Sequence, residues 1–261
     1  MAGSRTVARA LIDEGRVLVA GAPAPKAARQ VDPSEPLVVL GEPDRYVGRG
    51  ARKLEAALDR FELDPNGRRA LDAGASTGGF TDVLLQRGAA EVVALDVGRG
   101  QLHERLRADP RVRVMERTNL RHVDPASLGP FDVVVADLSF ISLTVVMGTL
   151  IASCAPDGWL VLLVKPQFEA GRREVSRGAG IVRDPDQWRI VLERVLDAAD
   201  DHGAAAQGVL PSPVPGAEGN VEFLVHLAPG STGGPGRVPH ELIAAAVDAG
   251  TELLADSRQV T

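Results

Sequence analysis

The chain has 261 residues, 44% hydrophobic and 25% charged, with a formal net charge of −6. That length buries one core of ordinary size, or one large and one small, and the composition excludes a disordered or collagen-like chain. The single cysteine, Cys154, excludes an internal disulfide framework and a multi-cysteine metal cluster, and no apolar run reaches the roughly 20 residues that span a bilayer, so a cytoplasmic protein without a membrane partner is expected.

In chain order, Ser4 opens a short helix carrying Val7, Ala8, Leu11 and Ile12 and stopped at Gly15, after which Arg16 to Val19 alternates as a strand. A turn around Gly21 to Pro25 follows, and Leu37 to Leu40 supplies a second strand. The array S-R-x-x-A-x-x-L-I-x-x-G-x-V-x-V-x-G in residues 4–40 resembles the S4 RNA-binding domain, without the R-L-D-x-x-L helix that opens that family. A partial module over 1–40 is therefore expected, with Arg5, Arg16, Lys26 and Arg29 facing RNA, and a linker over 41–45. Arg45, Arg49, Arg52 and Lys53 then form a strip without an intervening acid, suited to phosphates.

From Tyr46 onward strands and helices alternate. Apolar runs fall at 70–73, 92–97, 112–115, 133–136, 160–164, 208–210 and 221–227, with helix-compatible stretches between the first five. This predicts an α/β fold, a seven-stranded, Rossmann-like, mostly parallel sheet covered by helices. Pro211–Gly219 is too short for a crossover helix, so the last two runs should close as an antiparallel edge hairpin. The main domain is expected over 46–229, and residues 230–261 as a flexible Gly/Pro linker followed by an Ala-rich helix. The acidity is concentrated at this end: residues 195–261 hold nine acids and two arginines.

The turn Gly74-Ala75-Ser76-Thr77-Gly78-Gly79-Phe80 follows the first strand of the sheet and precedes a helix, so its glycines let backbone approach a ligand whose anionic group meets helix amides. Asp96 closes the next strand about twenty residues later, where an acid accepts hydrogen bonds from a ribose diol. A tight connection and a helix cap are the plain alternatives. Together the two suggest an adenosine-containing cofactor, either a dinucleotide or S-adenosylmethionine, and the edge hairpin and Asp137 at the fourth strand's end favour the methyl donor. Asn119 is grouped with these residues as a cofactor contact.

In an open parallel sheet the ligand lies beyond the carboxyl ends of the strands. Asp137 and Lys165 end parallel strands, Glu222 opens a strand of opposite direction, and Lys53 opens the helix before the sheet, so all four are expected on one rim. Only three of the 29 basic residues are lysines, Lys26, Lys53 and Lys165. A lysine kept in so arginine-rich a chain suits proton transfer near neutrality, which a guanidinium cannot perform. Chance is the competing explanation.

The motifs R-G-A-R-K-L, D-A-G-A-S-T-G-G-F-T-D, D-L-S-F-I-S-L, V-K-P-Q-F-E and N-V-E-F, spread over residues 4–229 together with the partial S4 module, resemble the TlyA family of rRNA 2′-O-methyltransferases, often labelled hemolysins. The resemblance implies an FtsJ/RrmJ-like domain whose Lys-Asp-Lys-Glu tetrad falls on Lys53, Asp137, Lys165 and Glu222. It further implies transfer of a methyl group from S-adenosyl-L-methionine to the ribose 2′-hydroxyl of cytidine in ribosomal RNA or ribosomal subunits. Lys165 would be the amine nearest the hydroxyl, a base if neutral or a stabiliser of oxyanion charge if cationic.

Arg49, Arg52, Arg172 and Arg173 are read as further RNA-phosphate contacts. The five histidines lack metal-ligand spacing, so no metal is expected, and Trp159 and Trp188 read as core residues. No protein partner is read from the sequence. An idle RNA-binding assembly factor, against which the intact tetrad argues, and a nicotinamide dehydrogenase as the enzymatic runner-up are the alternatives, with a membrane-damaging protein the weakest.

Overall fold

The computed structural model describes residues 5–13, 15–41, 45–170, 180–216, 219–230 and 240–259. The chain divides into two compact units, residues 1–45 and 46–261. In the first, helix α1 (Arg5–Asp13) is followed by β1 (Val17–Val19), the two-residue β2 (Ala22–Pro23) and β3 (Leu37–Val39), joined in the order β2-β1-β3. Both pairings are antiparallel. The turn expected around Gly21 to Pro25 is thus partly a strand that pairs back onto β1.

The second unit is a seven-stranded sheet in the order β6-β5-β4-β7-β8-β10-β9. Its strands are β4 (Arg69–Ala73), β5 (Glu91–Leu95), β6 (Val112–Met115), β7 (Phe131–Ala136), β8 (Cys154–Val164), β9 (Ala204–Pro211) and β10 (Phe223–Pro229). The first five run parallel, and β10 lies between β8 and β9, antiparallel to both. The expected α/β sheet with its closing hairpin is therefore present. β5 stops at Leu95, just before the Asp96 expected to close it, because Asp96 and the residues after it turn into loop hydrogen bonds.

The inner parallel strands β4, β5 and β7 and the C-terminal part of β8 are buried on both faces, which is why these runs are nearly continuous in apolar residues, whereas the edge strand β6 is only partly buried. Alternate residues serve two cores. Ala70, Val92, Ala94, Val133, Val135, Val161 and Leu163 pack with helices α2 (Ala51–Arg60) and α3 (Gly79–Gln86). Leu71, Ala73, Val93, Leu95, Val134 and Ala136 pack on the other face with α6 (Leu143–Ala152), α8 (Pro185–Asp201) and α9 (His240–Gln259). Three four-residue helices, α4 (Glu104–Arg107), α5 (Pro125–Leu128) and α7 (Pro166–Glu169), lie in the connections between them.

The longer helices follow their caps and apolar spacing. Ser142 caps α6 by accepting from the Thr144 amide, and Leu143, Val146, Met147, Leu150 and Ile151 form its buried stripe. Asp184 caps α8 with Pro185 at its first position, and Trp188, Val191, Leu192, Val195 and Leu196 are buried behind them. Trp188 is fully buried, donates from Nε1 to Val182 O at 2.9 Å, and meets Phe223 edge-on. Trp159 is also buried, so both tryptophans are core residues. Ile243, Ala246 and Val247 of α9 enter the same core, so the C-terminal helix belongs to the second unit, while residues 231–239 lie outside the described residues. Cys154 is buried, with its thiol pushed up to about 12 chiefly by burial. Among the described residues no helix is long and apolar enough to cross a membrane, and no cluster of His, Cys, Asp and Glu could hold a metal.

Candidate active site

The turn between β4 and α3 is built from residues that tolerate unusual backbone. Gly74 has φ +87° and Gly78, which caps α3, has φ +99°; Ser76 stands between them at +47°. The Gly74 and Ala75 amides both donate to Leu95 O, at 2.8 and 3.1 Å, and so tie the turn to the end of β5. Gly79 brings the start of α3 against α2: a Cβ there would lie 3.0 Å from the Ala51 nitrogen. Thr77 lies beside Gly48, where a Cβ would come within 3.2 Å of its hydroxyl. Phe80 is 3% exposed in the core beneath the turn, so its ring supports the loop and does not line it.

Asp96 follows β5 directly. Its carboxylate accepts from the Ser76 amide at 2.8 Å and the Gly98 amide at 2.6 Å, so it organises the turn and does not cap a helix. The Thr118 amide donates to Asp96 O at 3.0 Å, which brings the loop bearing Asn119 alongside. Asn119 itself accepts from the Arg121 amide at 3.0 Å and caps a short 3-10 turn at Leu120–His122.

Below the turn lies an acid to which sequence reasoning gave no role. Asp72, in β4, is fully buried; Oδ2 accepts from the Thr81 hydroxyl at 2.6 Å, and Oδ1 has no hydrogen-bond partner among the described residues. Burial pushes its carboxyl up to about 7 from 3.8, against the Thr81 hydrogen bond and with help from the charges of Asp137 and Asp96. A folded-state value raised above the unfolded one gives stability that is present below about pH 4 and is lost as pH rises through about 7. Asp72→Asn should therefore gain stability over the parent between pH 5 and pH 8, by about 2–3 kcal/mol at 1.36 kcal/mol per unit. Urea unfolding at the two pH values checks this, and an equal difference at both would show that Asp72 does not titrate there.

The four rim residues form two ion pairs. Lys165 Nζ lies 2.6 Å from Asp137 Oδ1 and donates to Ser139 Oγ at 2.9 Å. Lys53 pairs with Glu222 Oε2, and both are buried, at 8% and 2% exposure. The pairs are neighbours by construction. The β8–β10 register pairs Val164 with Phe223, so Lys165 and Glu222 stand opposite one another one step beyond it. Gln167, two residues after Lys165, donates to Glu222 Oε1 at 3.3 Å. Gly50, whose carbonyl accepts from the Lys53 amide, sits where a Cβ would be 3.8 Å from Asp137 Oδ2. Two amines and two carboxylates, three of them more than nine-tenths buried, thus gather beside the glycine turn at the carboxyl end of the parallel strands.

Ser139 and Gln167 were missed in the sequence. They fall within D-L-S-F-I-S-L and V-K-P-Q-F-E, but a lone serine or glutamine in a loop carries no signal of its own until its partner's position is known.

The candidate RNA contacts are less uniform. In the first unit Lys26 is exposed, Arg29 is paired with Glu35 at 2.9 Å, and Arg16 donates to Leu40 O at 3.0 Å. Arg5 lies in α1. Arg49 and Arg52 are exposed at the start of α2. Arg172 and Arg173 lie outside the described residues.

Comparison with known proteins gives this geometry a lineage. The FtsJ-like methyltransferase family matches residues 46–228. The 16S/23S rRNA (cytidine-2′-O)-methyltransferase TlyA of Mycobacterium tuberculosis is 49% identical, over 87% of this chain and 85% of that one. Hemolysin A of Brachyspira hyodysenteriae is 37% identical over 85% of this chain and 93% of its own. A solved structure of a Streptococcus thermophilus protein with a provisional hemolysin name is similar over 98% of this chain and 94% of that one, at 39% identity and a TM-score of 0.82. With the family match over residues 46–228 and relatives matched over most of their length in agreement, this chain belongs to the TlyA family of FtsJ-like methyltransferases.

Proposed function

We propose that the protein transfers the methyl group of S-adenosyl-L-methionine to the ribose 2′-hydroxyl of cytidine in ribosomal RNA, working in the cytoplasm on ribosomal subunits or their RNA. The observation that carries this reading is the meeting of the Lys165–Asp137 and Lys53–Glu222 pairs beside the glycine turn. The name of the Mycobacterium tuberculosis relative supports the substrate.

The residues around the turn fit the cofactor. Gly74 and Gly78 give the turn positive φ angles and pack it tightly against Asp137 and Leu106, Asp96 keeps lone pairs beyond the two amides it accepts from, and the buried Asp72 Oδ1 has a free acceptor position among the described residues. When bound, S-adenosyl-L-methionine supplies an electrophilic methyl on a sulfonium leaving group.

The protein's work is then alignment. Holding a hydroxyl in attack geometry supplies roughly 7–11 kcal/mol, whereas a positioned base adds about 10²–10⁴-fold. Lys165 Nζ already donates to two oxygens, those of Asp137 and Ser139, and in the reaction it holds the sugar oxygen and offsets the charge that grows there as the hydroxyl proton passes to solvent water at the exposed side of Asp137. Asp137 and Ser139 fix the direction of Nζ. Lys53 and Glu222 fix each other, and Glu222 is further set by Gln167.

Phe140 gives the site an aromatic face. It is 92% exposed, at φ +65°, and its ring lies 5.1 Å from that of Phe168, which is itself 5.8 Å from Lys165 Nζ. A large apolar side chain held in the left-handed region and left in water is not there for packing. We assign it to stacking on the target base. Because base stacking on an aromatic is worth about 1–3 kcal/mol, Phe140→Ala should lower kcat/KM for RNA by roughly tenfold or more with an unchanged melting temperature. An unaltered kcat/KM would remove this assignment.

The overall reading is tested by mixing the purified protein with radiolabelled donor and ribosomal subunits and mapping ribose methylation. Label on a cytidine 2′-oxygen is expected. Subunit binding without transfer would point instead to an idle assembly factor, and label on a base would overturn the assignment of the nucleophile.

A further inference from the structure

The two loops that carry Asp137 and Lys165 leave adjacent parallel strands, and nothing in a parallel pair fixes such loops to one another once the ladder ends. Here they are joined by a side chain outside the tetrad. Glu169 is 6% exposed; Oε1 accepts from the Leu143 amide at 2.7 Å, and Oε2 accepts from the Ser142 hydroxyl. Ser142 and Leu143 are the cap and first residue of α6, which ends the loop that begins at Asp137 and holds Ser139. Glu169 ends the single helical turn α7, whose cap is Lys165 itself. The Phe168 and Glu169 amides donate to Lys165 O at 2.8 and 3.2 Å, so the turn behaves as one piece. Arg194 of α8 fixes its far end by donating to Glu169 O at 3.0 Å.

The arrangement is costly for a role in folding alone. Ser142 already caps α6 through the Thr144 amide, and burial pushes the Glu169 carboxyl up from its ordinary range in spite of the two donors it faces. A helix start can be capped by an exposed residue without burying a carboxylate. What the buried acid adds is a fixed distance between the loop that presents Asp137 and Ser139 and the turn that presents Lys165. Phe140, at φ +65° inside the first loop, needs such restraint, because its backbone would otherwise relax.

We propose that Glu169 is a positioning residue of the methyl-transfer site: by clamping the start of α6 to the turn after Lys165, it sets the Lys165–Asp137–Ser139 geometry. This rests on the methyl-transfer reading, and the test therefore includes a readout that does not need turnover. With lysines only at 26, 53 and 165, selective lysine 13Cε labelling gives three side-chain signals to follow by NMR.

In Glu169→Ala the Lys165 signal should move and broaden while that of Lys26 stays in place, and kcat should fall about 30-fold with the KM for S-adenosylmethionine within about threefold. Glu169→Gln keeps an acceptor for the Leu143 amide and an NH2 for the Ser142 oxygen, so it should restore the Lys165 signal and most of kcat. Ser142→Ala, which removes one of the two clamps, should fall between them and serves if the alanine variant at 169 does not fold.

An unmoved Lys165 signal in the well-folded alanine or serine variant overturns the proposal. So does a loss of kcat that glutamine does not rescue and that tracks thermal stability. Failure of the wild-type protein to methylate RNA would overturn the reaction instead, with the lysine signals still deciding on the clamp.

Discussion

Lys165→Ala is expected to lower single-turnover methyl transfer by a factor of about 10³, while the affinity for S-adenosylmethionine stays within about threefold of wild type. The selectivity follows from where the residue stands. Lys165 follows β8 and reaches Asp137 and Ser139, and among the described residues its hydrogen bond and ion pair go to these two and not to the glycine turn or Asp96. Its ion-pair partner keeps a quarter of its side-chain surface in solvent, so Asp137 can be rehydrated when the amine is removed, and the fold should survive. The same change at Lys53 would be harder to interpret. Glu222 is 2% exposed, and a buried charge stripped of its partner costs about 3–5 kcal/mol.

Lys165→Arg separates the two chemical roles. A guanidinium keeps the charge and the donors but does not give up a proton. If the side chain holds the oxygen and offsets its charge, arginine should recover about tenfold over alanine. Calorimetry with the donor and quenched single-turnover labelling of RNA measure both quantities. Turnover within about threefold of wild type in Lys165→Ala would remove the catalytic assignment.

What the sequence carried was the frame of this site more than its interior. Apolar runs marked the strands because a sheet buried on both faces has little room for polar residues, and the strand ends then placed Asp137, Lys165 and Glu222 on one rim. Two of the three lysines, Lys53 and Lys165, do stand in the tetrad. Their pairing was not readable. Lys53 and Glu222 are 169 residues apart, and which carboxylate meets which amine depends on β10 lying between β8 and β9.

Strand limits failed where tertiary pairing overrode local preference. Ala204, Ala205 and Ala206 favour helix by propensity, yet they extend β9 by pairing with Pro229, Ala228 and Leu227 after Gly203, at φ +81°, has turned the chain. β8 likewise begins at Cys154 and not at Leu160, across a register shift at Phe131/Val133. Gly158 permits this, since a Cβ there would lie 2.7 Å from Asp132 O. Glu169 and Ser139 were invisible for the reason that makes them informative now: their hydrogen bonds join loops whose closeness only the folded sheet creates.

Gly74→Ala should be the most damaging single-methyl addition in the site. The residue sits at φ +87°, and a Cβ there would lie 2.6 Å from Asp137 O, 3.1 Å from Asp137 C and 3.0 Å from Leu138 Cδ2. Main chain cannot rotate aside as a flexible side chain can. Relief would come by pushing the end of β7 off the end of β4, where the Asp137 amide donates to Ala73 O at 3.1 Å. The displacement would reach the glycine turn and the two ion pairs together, because Gly74 belongs to one and Asp137 to the other. Backbone strain and overpacking add to about 3 kcal/mol or more, a fall of roughly 6–12 °C in melting temperature for a unit of this size. Affinity for S-adenosylmethionine and kcat should fall together, unlike in Lys165→Ala. Gly67→Ala is the control: it stands at φ +69°, and a Cβ added there would meet nothing within 4 Å, so it bears strain without the clash. It should cost about 1–2 kcal/mol and leave both kinetic constants unchanged. Equal effects of the two substitutions on donor affinity would mean that the glycine at 74 serves only its backbone angle, and that the glycine turn and Asp137 are not mechanically joined.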